Sequence, residues 1–217
     1  MKLHWILALA LAAAPLAAAA QTVPDAGLAA EMQGQWTDAV AIYQQALKAN
    51  PAQPNLWERI ADIRATQLKE PARAVEALRE AVKYAPTDAR LYHKLSQAHA
   101  AVKDGPAALA AIKRAVELEP GNATYLRARG DVATWTGDTA LALDSYERVL
   151  AASPQDAAAL LGAARAGSRS GKKDAAAARY RAYLALRPDD GRHVVDAVGP
   201  GDRFAEPVPL QNVGFGE

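Results

Sequence analysis

Five prolines, Pro51, Pro86, Pro120, Pro154 and Pro188, stand 35, 34, 34 and 34 residues apart. A fixed spacing over most of a chain restricts the fold more than composition does, because each period must form the same unit and pack on its neighbours. Each proline is followed by turn residues such as "PTDAR", "PGNAT", "PQDAA" and "PDDGR", so each closes a helix. Twelve residues before each stands Ala39, Ala74, Ala108, Ala142 or Ala176. Four residues on comes a larger one, Tyr43, Leu78, Ile112, Tyr146 or Tyr180. Ala46, Ala81, Ala115, Val149 and Tyr183 follow three later. Positions i, i+4 and i+7 share one helical face, which meets a neighbouring helix.

The earlier half of each unit reads as a second helix. Trp57, Ile60, Ala61 and Arg64 form a stripe, matched by Tyr92, Leu95, Ser96 and His99, then Leu126, Arg129, Gly130 and Ala133, then Leu160, Ala163, Ala164 and Gly167. The small third member lets two helix backbones approach closely. Between paired helices, "MQGQW", "WTGDT" and "RSGKK" supply glycines for a left-handed turn. Pro71 and Pro106 sit where a helix begins, a place that tolerates a missing N–H.

These residues resemble the tetratricopeptide repeat family, with its W-x2-L-G-x2-Y…A-x3-F…P unit of 34 residues. The resemblance implies an all-α fold, a right-handed α-solenoid of helix–turn–helix units, with five repeats over residues 21–188. The departures are Arg64 and Arg129 at usually apolar places and one extra residue in the second unit. Residues 189–199 are expected to form a short capping helix through Val194, Val195 and Val198, and residues 200–217, rich in proline and glycine, an extended or disordered tail.

"MKLHWILALALAAAPLAAAA" at residues 1–20 has Lys2 near its start, an apolar run, Pro15, and Ala18 and Ala20 before Gln21. This is the pattern of a cleavable signal peptide. A membrane anchor is the alternative, but Trp5–Ala20 is shorter than the ~20 apolar residues a spanning helix needs. The expectation is therefore a periplasmic protein without a stable membrane span after signal removal. Its 25 basic and 24 acidic residues leave no broad footprint for nucleic acid. The absence of cysteine excludes disulfides, thiolate zinc sites and cysteine nucleophiles.

No nucleotide fingerprint occurs, and "GSRSG" at 167–171 has Arg169 where a nucleophile elbow needs serine. His93 and His99 lie on different faces of one helix, which argues against shared metal ligation. "NAT" at 122–124 and Asp189–Asp190 read as turn and capping residues. No cofactor and no enzymatic activity are expected.

Family resemblance implies that first-helix residues outside the packing stripes line a concave binding surface. Along them the charge is sorted. Glu58 and Asp62 come first, and Arg90, Lys94, Arg127, Arg165 and Arg169 follow. One reading is solvated charge with local pairs such as Arg127–Asp131. The other is a contact surface of Arg90, His93, Lys94, Gln97, Arg127, Asp131, Trp135, Arg165 and Arg169. Trp135 either packs under the next unit or stacks on a partner. A chaperone-tail carboxylate clamp is not expected, since Pro24, Leu28 and Arg59 hold its upstream places. The expected partner is a periplasmic or envelope protein or peptide segment, bound by a scaffold or assembly factor. The alternative is a polysaccharide, because the chain also resembles exported repeat segments of bacterial exopolysaccharide secretion systems.

Overall fold

The computed structural model describes residues 25–190, and the expected signal peptide (1–20), all but the first two residues of the expected capping helix (189–199) and the expected tail (200–217) lie outside them. The described residues divide into two compact units, 25–120 and 121–190, each described by itself. Unit 1 contains α1 (residues 25–32), α2 (Trp36–Ala49), α3 (Pro54–Thr66), α4 (Pro71–Tyr84), α5 (Ala89–Ala101) and α6 (Gly105–Leu118). Unit 2 contains α7 (Ala123–Thr136), α8 (Thr139–Ala152), α9 (Ala157–Arg169), α10 (Lys173–Leu186) and a 3-10 turn, Pro188–Asp190. Among the described residues there is no strand.

Helix boundaries follow local chemistry. Asp88, Asp104, Asn122, Asp138 and Asp156 cap α5, α6, α7, α8 and α9 by accepting backbone N–H groups of the first turn. Pro54 and Pro71 begin α3 and α4, while Pro106 is the second residue of α6. The turn inside each helix pair uses one left-handed residue. Gly34, Gly137 and Gly171 serve three times, with φ of 71°, 86° and 76°. Lys69 and Lys103, at φ 57° and 61°, take the same place in the other two, where the sequence offers no glycine. The extra residue of the second repeat falls in the α3–α4 loop, where Glu70 N donates to Arg64 O at 2.7 Å.

The small and large places read from the sequence are the core. Ala39, Ala74, Ala108, Ala142 and Ala176 are buried, as are Tyr43, Leu78, Ile112, Tyr146 and Tyr180. Ala46 is only half-buried, whereas Ala81, Ala115, Val149 and Tyr183 are buried. Trp57 packs partly buried against the unit 1 core, and its Nε1 donates to Pro51 O at 2.9 Å. In α5 the small place does bring helices together, because Ser96 Oγ donates to Ala108 O at 2.8 Å. At Gly130 the space is used differently, by a tyrosine ring from α8.

Arg129 resolves one departure from the family pattern. It is buried, its Nε donates to Ser145 Oγ at 2.8 Å, and its Nη2 meets Asp144 Oδ2 at 2.5 Å. Burial holds its basicity below the ordinary arginine value, although Asp144 opposes this. An ion pair in such a place adds little net stability over a well-packed apolar side chain. Without Arg129, Ser145 Oγ still donates to Leu141 O, and the largely exposed Asp144 is left to water. Arg129→Leu is therefore expected to fall within about 1 kcal/mol of wild type, or to stabilise, in urea denaturation. A loss above about 3 kcal/mol would mean that the pair itself holds unit 2 together.

Candidate protein-binding surface

In unit 1 the expected contact residues sit on α3 and α5. Asn55, Asp62, Ala65, Thr66, Arg90, Gln97 and Ala101 are exposed, and Glu58, His93 and Lys94 are half-buried. Their charges are not free. Arg90 Nη1 bonds Glu58 Oε1, and Nη2 lies 3.1 Å from Asp88 Oδ2. Lys94 Nζ lies 2.7 Å from Glu58 Oε1 and 2.7 Å from Asp62 Oδ2. One helix pair earlier, Arg59 grips both oxygens of Glu31 at 2.8 and 2.6 Å, and the Tyr43 hydroxyl donates to the same carboxylate at 2.6 Å. The charge sorting seen in the sequence is, in unit 1, a ladder of ion pairs between successive first helices.

The ladder governs proton affinities. Burial alone would raise the carboxyl groups of Glu31 and Glu58. Hydrogen bonds from Arg59 and Tyr43 to the first, and from Arg90 and Lys94 to the second, outweigh it and hold both below the ordinary value. Burial, with the bond to Glu31, pushes the Tyr43 hydroxyl up to about 12. Burial also depresses His93, whose Nε2 lies 3.3 Å from Gln97 Nε2. His99 is buried on the packing side, with Nδ1 3.3 Å from Asp104 Oδ2. Burial and then Arg79 lower it, and Asp104 opposes them.

The folded-state values of Glu31, Glu58, His93 and His99 are depressed, so the stability these four contribute is present above their unfolded values and is lost on acidification. Unit 1 is expected to lose stability in two stages. The first begins below the histidine value of 6.5, and the second below the carboxyl value of 4.5. Melting temperatures from pH 8 to pH 3 check this. His99→Leu should shrink the first stage to the part that His93 contributes and leave the second. A single transition centred on 4.5 that is unaffected by His99→Leu would remove the histidine from the account.

Unit 2 presents a different face. Arg127 Nη1 bonds Asp156 Oδ2 at 3.1 Å, so the local Arg127–Asp131 pair expected from helical spacing does not form. Asp131 Oδ1 instead accepts the Tyr146 hydroxyl at 2.7 Å. The Tyr146 ring fills the space left by two glycines. A Cβ on Gly130 or Gly162 would lie 2.7 or 2.4 Å from a ring carbon. Burial and then the Asp131 bond push that hydroxyl above the ordinary tyrosine range, opposed by Thr134 and Arg165. Trp135 is 49% exposed, so it is not buried under the next repeat. On α9, Ala158, Arg165 and Arg169 are exposed, and Leu161 and Ser168 half-buried. Neither Arg165 nor Arg169 pairs with a carboxylate of the described residues, whereas Arg59, Arg90, Lys94, Arg127, Arg129 and Arg179 all do.

Of the expected contact residues, the structure thus brings Arg90, His93, Lys94 and Gln97 onto one face of unit 1. It brings Arg127, Asp131, Trp135, Arg165 and Arg169 onto the first helices of unit 2. Sequence reasoning missed Glu31 and Asp156, and it read Tyr146 as a packing residue without its hydroxyl bond to Asp131; these three fix the geometry of the faces. Their one signal is a carboxylate or hydroxyl in a neighbouring element, at separations of 15 to 32 residues where helical spacing says nothing. Among the described residues no group of three or more His, Asp or Glu side chains could hold a metal ion, and no helix is long and apolar enough to cross a membrane.

Sequence profiles described as tetratricopeptide repeat match residues 25–89, 93–156 and 136–198. A search of curated proteins finds no match. The fold is similar to a crystal structure of MamA protein, at TM-score 0.70 and 22% identity, covering 81% of this chain and 96% of that one. It is also similar to YrrB, described as a TPR protein with an unusual peptide-binding site, at TM-score 0.68 and 17% identity, covering 77% and 86%. MamA 41-end from Desulfovibrio magneticus RS-1 aligns at TM-score 0.67 and 14% identity, covering 78% and 96%.

Proposed function

The chain belongs to the tetratricopeptide repeat family, and from that premise we propose that it is a non-catalytic scaffold that binds an envelope protein or peptide segment on the first-helix face of unit 2. The observation that carries the proposal is the contrast between the two faces. In unit 1 the cations are neutralised by acids of the preceding helix. In unit 2 a half-exposed tryptophan stands on α7, and two arginines without a described carboxylate partner stand on α9. Exposed tryptophan and arginine are the side chains most enriched where protein surfaces bind tightly. The description of YrrB as peptide-binding supports the same class of ligand here. The leader-like residues 1–20 support the periplasm as the place of binding.

Photo-crosslinking in the native host tests this reading. Probes replace Ala158, exposed on α9, and Lys113, exposed on the second-helix side of unit 1. A discrete protein adduct from Ala158 and none from Lys113 is the expected result. Adducts from Lys113 alone, or from neither position, would overturn the assignment of the face. A carbohydrate adduct from Ala158 would replace the protein partner with a polysaccharide.

A further inference from the structure

We propose that the face of unit 2 takes an acidic, extended peptide. Arg165 and Arg169 each engage one of two carboxylates set two residues apart, and Trp135 covers an apolar side chain a few residues away. This rests on the reading of unit 2 as the binding face and names the chemistry of its ligand.

Arg165 and Arg169 are four residues apart on α9 and both exposed, so they share one face of the helix, with backbone positions about 6 Å apart along its axis. In an extended chain, side chains two residues apart point the same way about 6.6 Å apart. A carboxylate–x–carboxylate segment therefore fits the arginine pair in register, and arginine binds carboxylates with two parallel hydrogen bonds. Arg169 lies in the last turn of α9, where the helix dipole also favours a cation. Arg165 sits a full turn earlier, so the dipole does not account for it.

Trp135 on α7 and Arg169 on α9 hold the same place in successive repeats, and the two helices touch. Packed helix axes lie about 8–10 Å apart. That is about three residues of extended chain, which sets the distance from the acidic pair to the apolar residue. Asp131 fixes the polarity of the arrangement. It holds the place on α7 that Arg165 holds on α9, and its carboxylate is engaged by Tyr146. It repels acidic side chains from α7, leaves that helix to the apolar anchor and directs the carboxylates to α9.

The test uses the full chain and fluorescein-labelled peptides carrying one phenylalanine and, three residues away in either order, Glu-Gly-Glu or Lys-Gly-Lys. Polarisation is expected to detect binding of the acidic peptides and not of the basic ones. Affinity should fall at least about tenfold in the double variant R165E/R169E, while its melting temperature falls by no more than a few degrees, the effect of reversing one charge at the end of α9. W135A should also weaken binding by about tenfold or more. Raising ionic strength from about 0.05 to about 0.5 M should weaken binding of the acidic peptide by the wild type and not by the double variant, whose glutamates repel that peptide and are screened in turn. Equal binding of basic and acidic peptides, or unchanged affinity in R165E/R169E, overturns the inference. Absence of acidic-peptide binding while the Ala158 crosslink persists overturns the acidic chemistry and leaves the binding face standing. Loss of both overturns the face as well.

Discussion

Tyr146→Ala lowers the stability of unit 2 by about 3–5 kcal/mol in urea denaturation, the range for deleting a fully buried aromatic ring. The ring lies between α7 and α9, against Gly130 and Gly162, so neither backbone can close on the void without leaving its other neighbours. The hydroxyl is the smaller part of the effect. Tyr146→Phe keeps the ring and loses one bond to Asp131, whose carboxylate turns to water, so a loss of about 0.5–1.5 kcal/mol is expected. If the phenylalanine variant is as unstable as the alanine one, the ring is not what joins the two helices.

The partner of that prediction is a substitution whose sign depends on Tyr146. Alanine in place of glycine inside a helix normally stabilises by about 1 kcal/mol. At Gly162 the new Cβ would lie 2.4 Å from Tyr146 Cζ, and at Gly130 2.7 Å from Cε1. The ring has little room to give way, because both glycines lie against its Cε1 and Cζ atoms and its hydroxyl is pinned by Asp131. Gly162→Ala is expected to destabilise by about 1–3 kcal/mol, the usual result of overpacking. In the Tyr146→Ala background the clash is gone, and the same substitution should stabilise by about 1 kcal/mol. Additivity of the two substitutions would show that glycine and tyrosine do not share this space.

The repeat architecture was legible because one period carried several independent signals at once. The closing prolines, the alanines twelve residues before them and the larger residue between occupy one register. The burial of Ala142, Tyr146 and Val149 in α8 follows from that register alone. Where a signal had a substitute, the reading failed locally. Lys69 and Lys103 take the left-handed turn without glycine, at the register position where Gly34 and Gly137 stand.

The first-helix face was legible in membership but not in state. Side-chain spacing put Arg90, Lys94, Arg127, Arg165 and Arg169 on first helices, and the structure keeps them there. Which of them are neutralised depends on acids one repeat away, such as Glu58 for Arg90 at a separation of 32 residues. Helical periodicity carries no information at that distance. Trp135 illustrates the same limit. A tryptophan at the end of a first helix satisfies either packing or exposure, and the neighbours that decide it are set by the fold.

The central claim is that cations of unit 1 hold repeats together while Arg165 and Arg169 are kept for a partner. The most direct measurement is the melting temperature of two charge-removed double variants, R90Q/K94Q and R165Q/R169Q, by calorimetry at low salt. The account predicts a lowered melting temperature for R90Q/K94Q, because Glu58 loses both of its cations, and a much smaller shift for R165Q/R169Q, limited to the lost dipole interaction of Arg169. A shift in R165Q/R169Q as large as that in R90Q/K94Q would make those arginines structural and contradict the account.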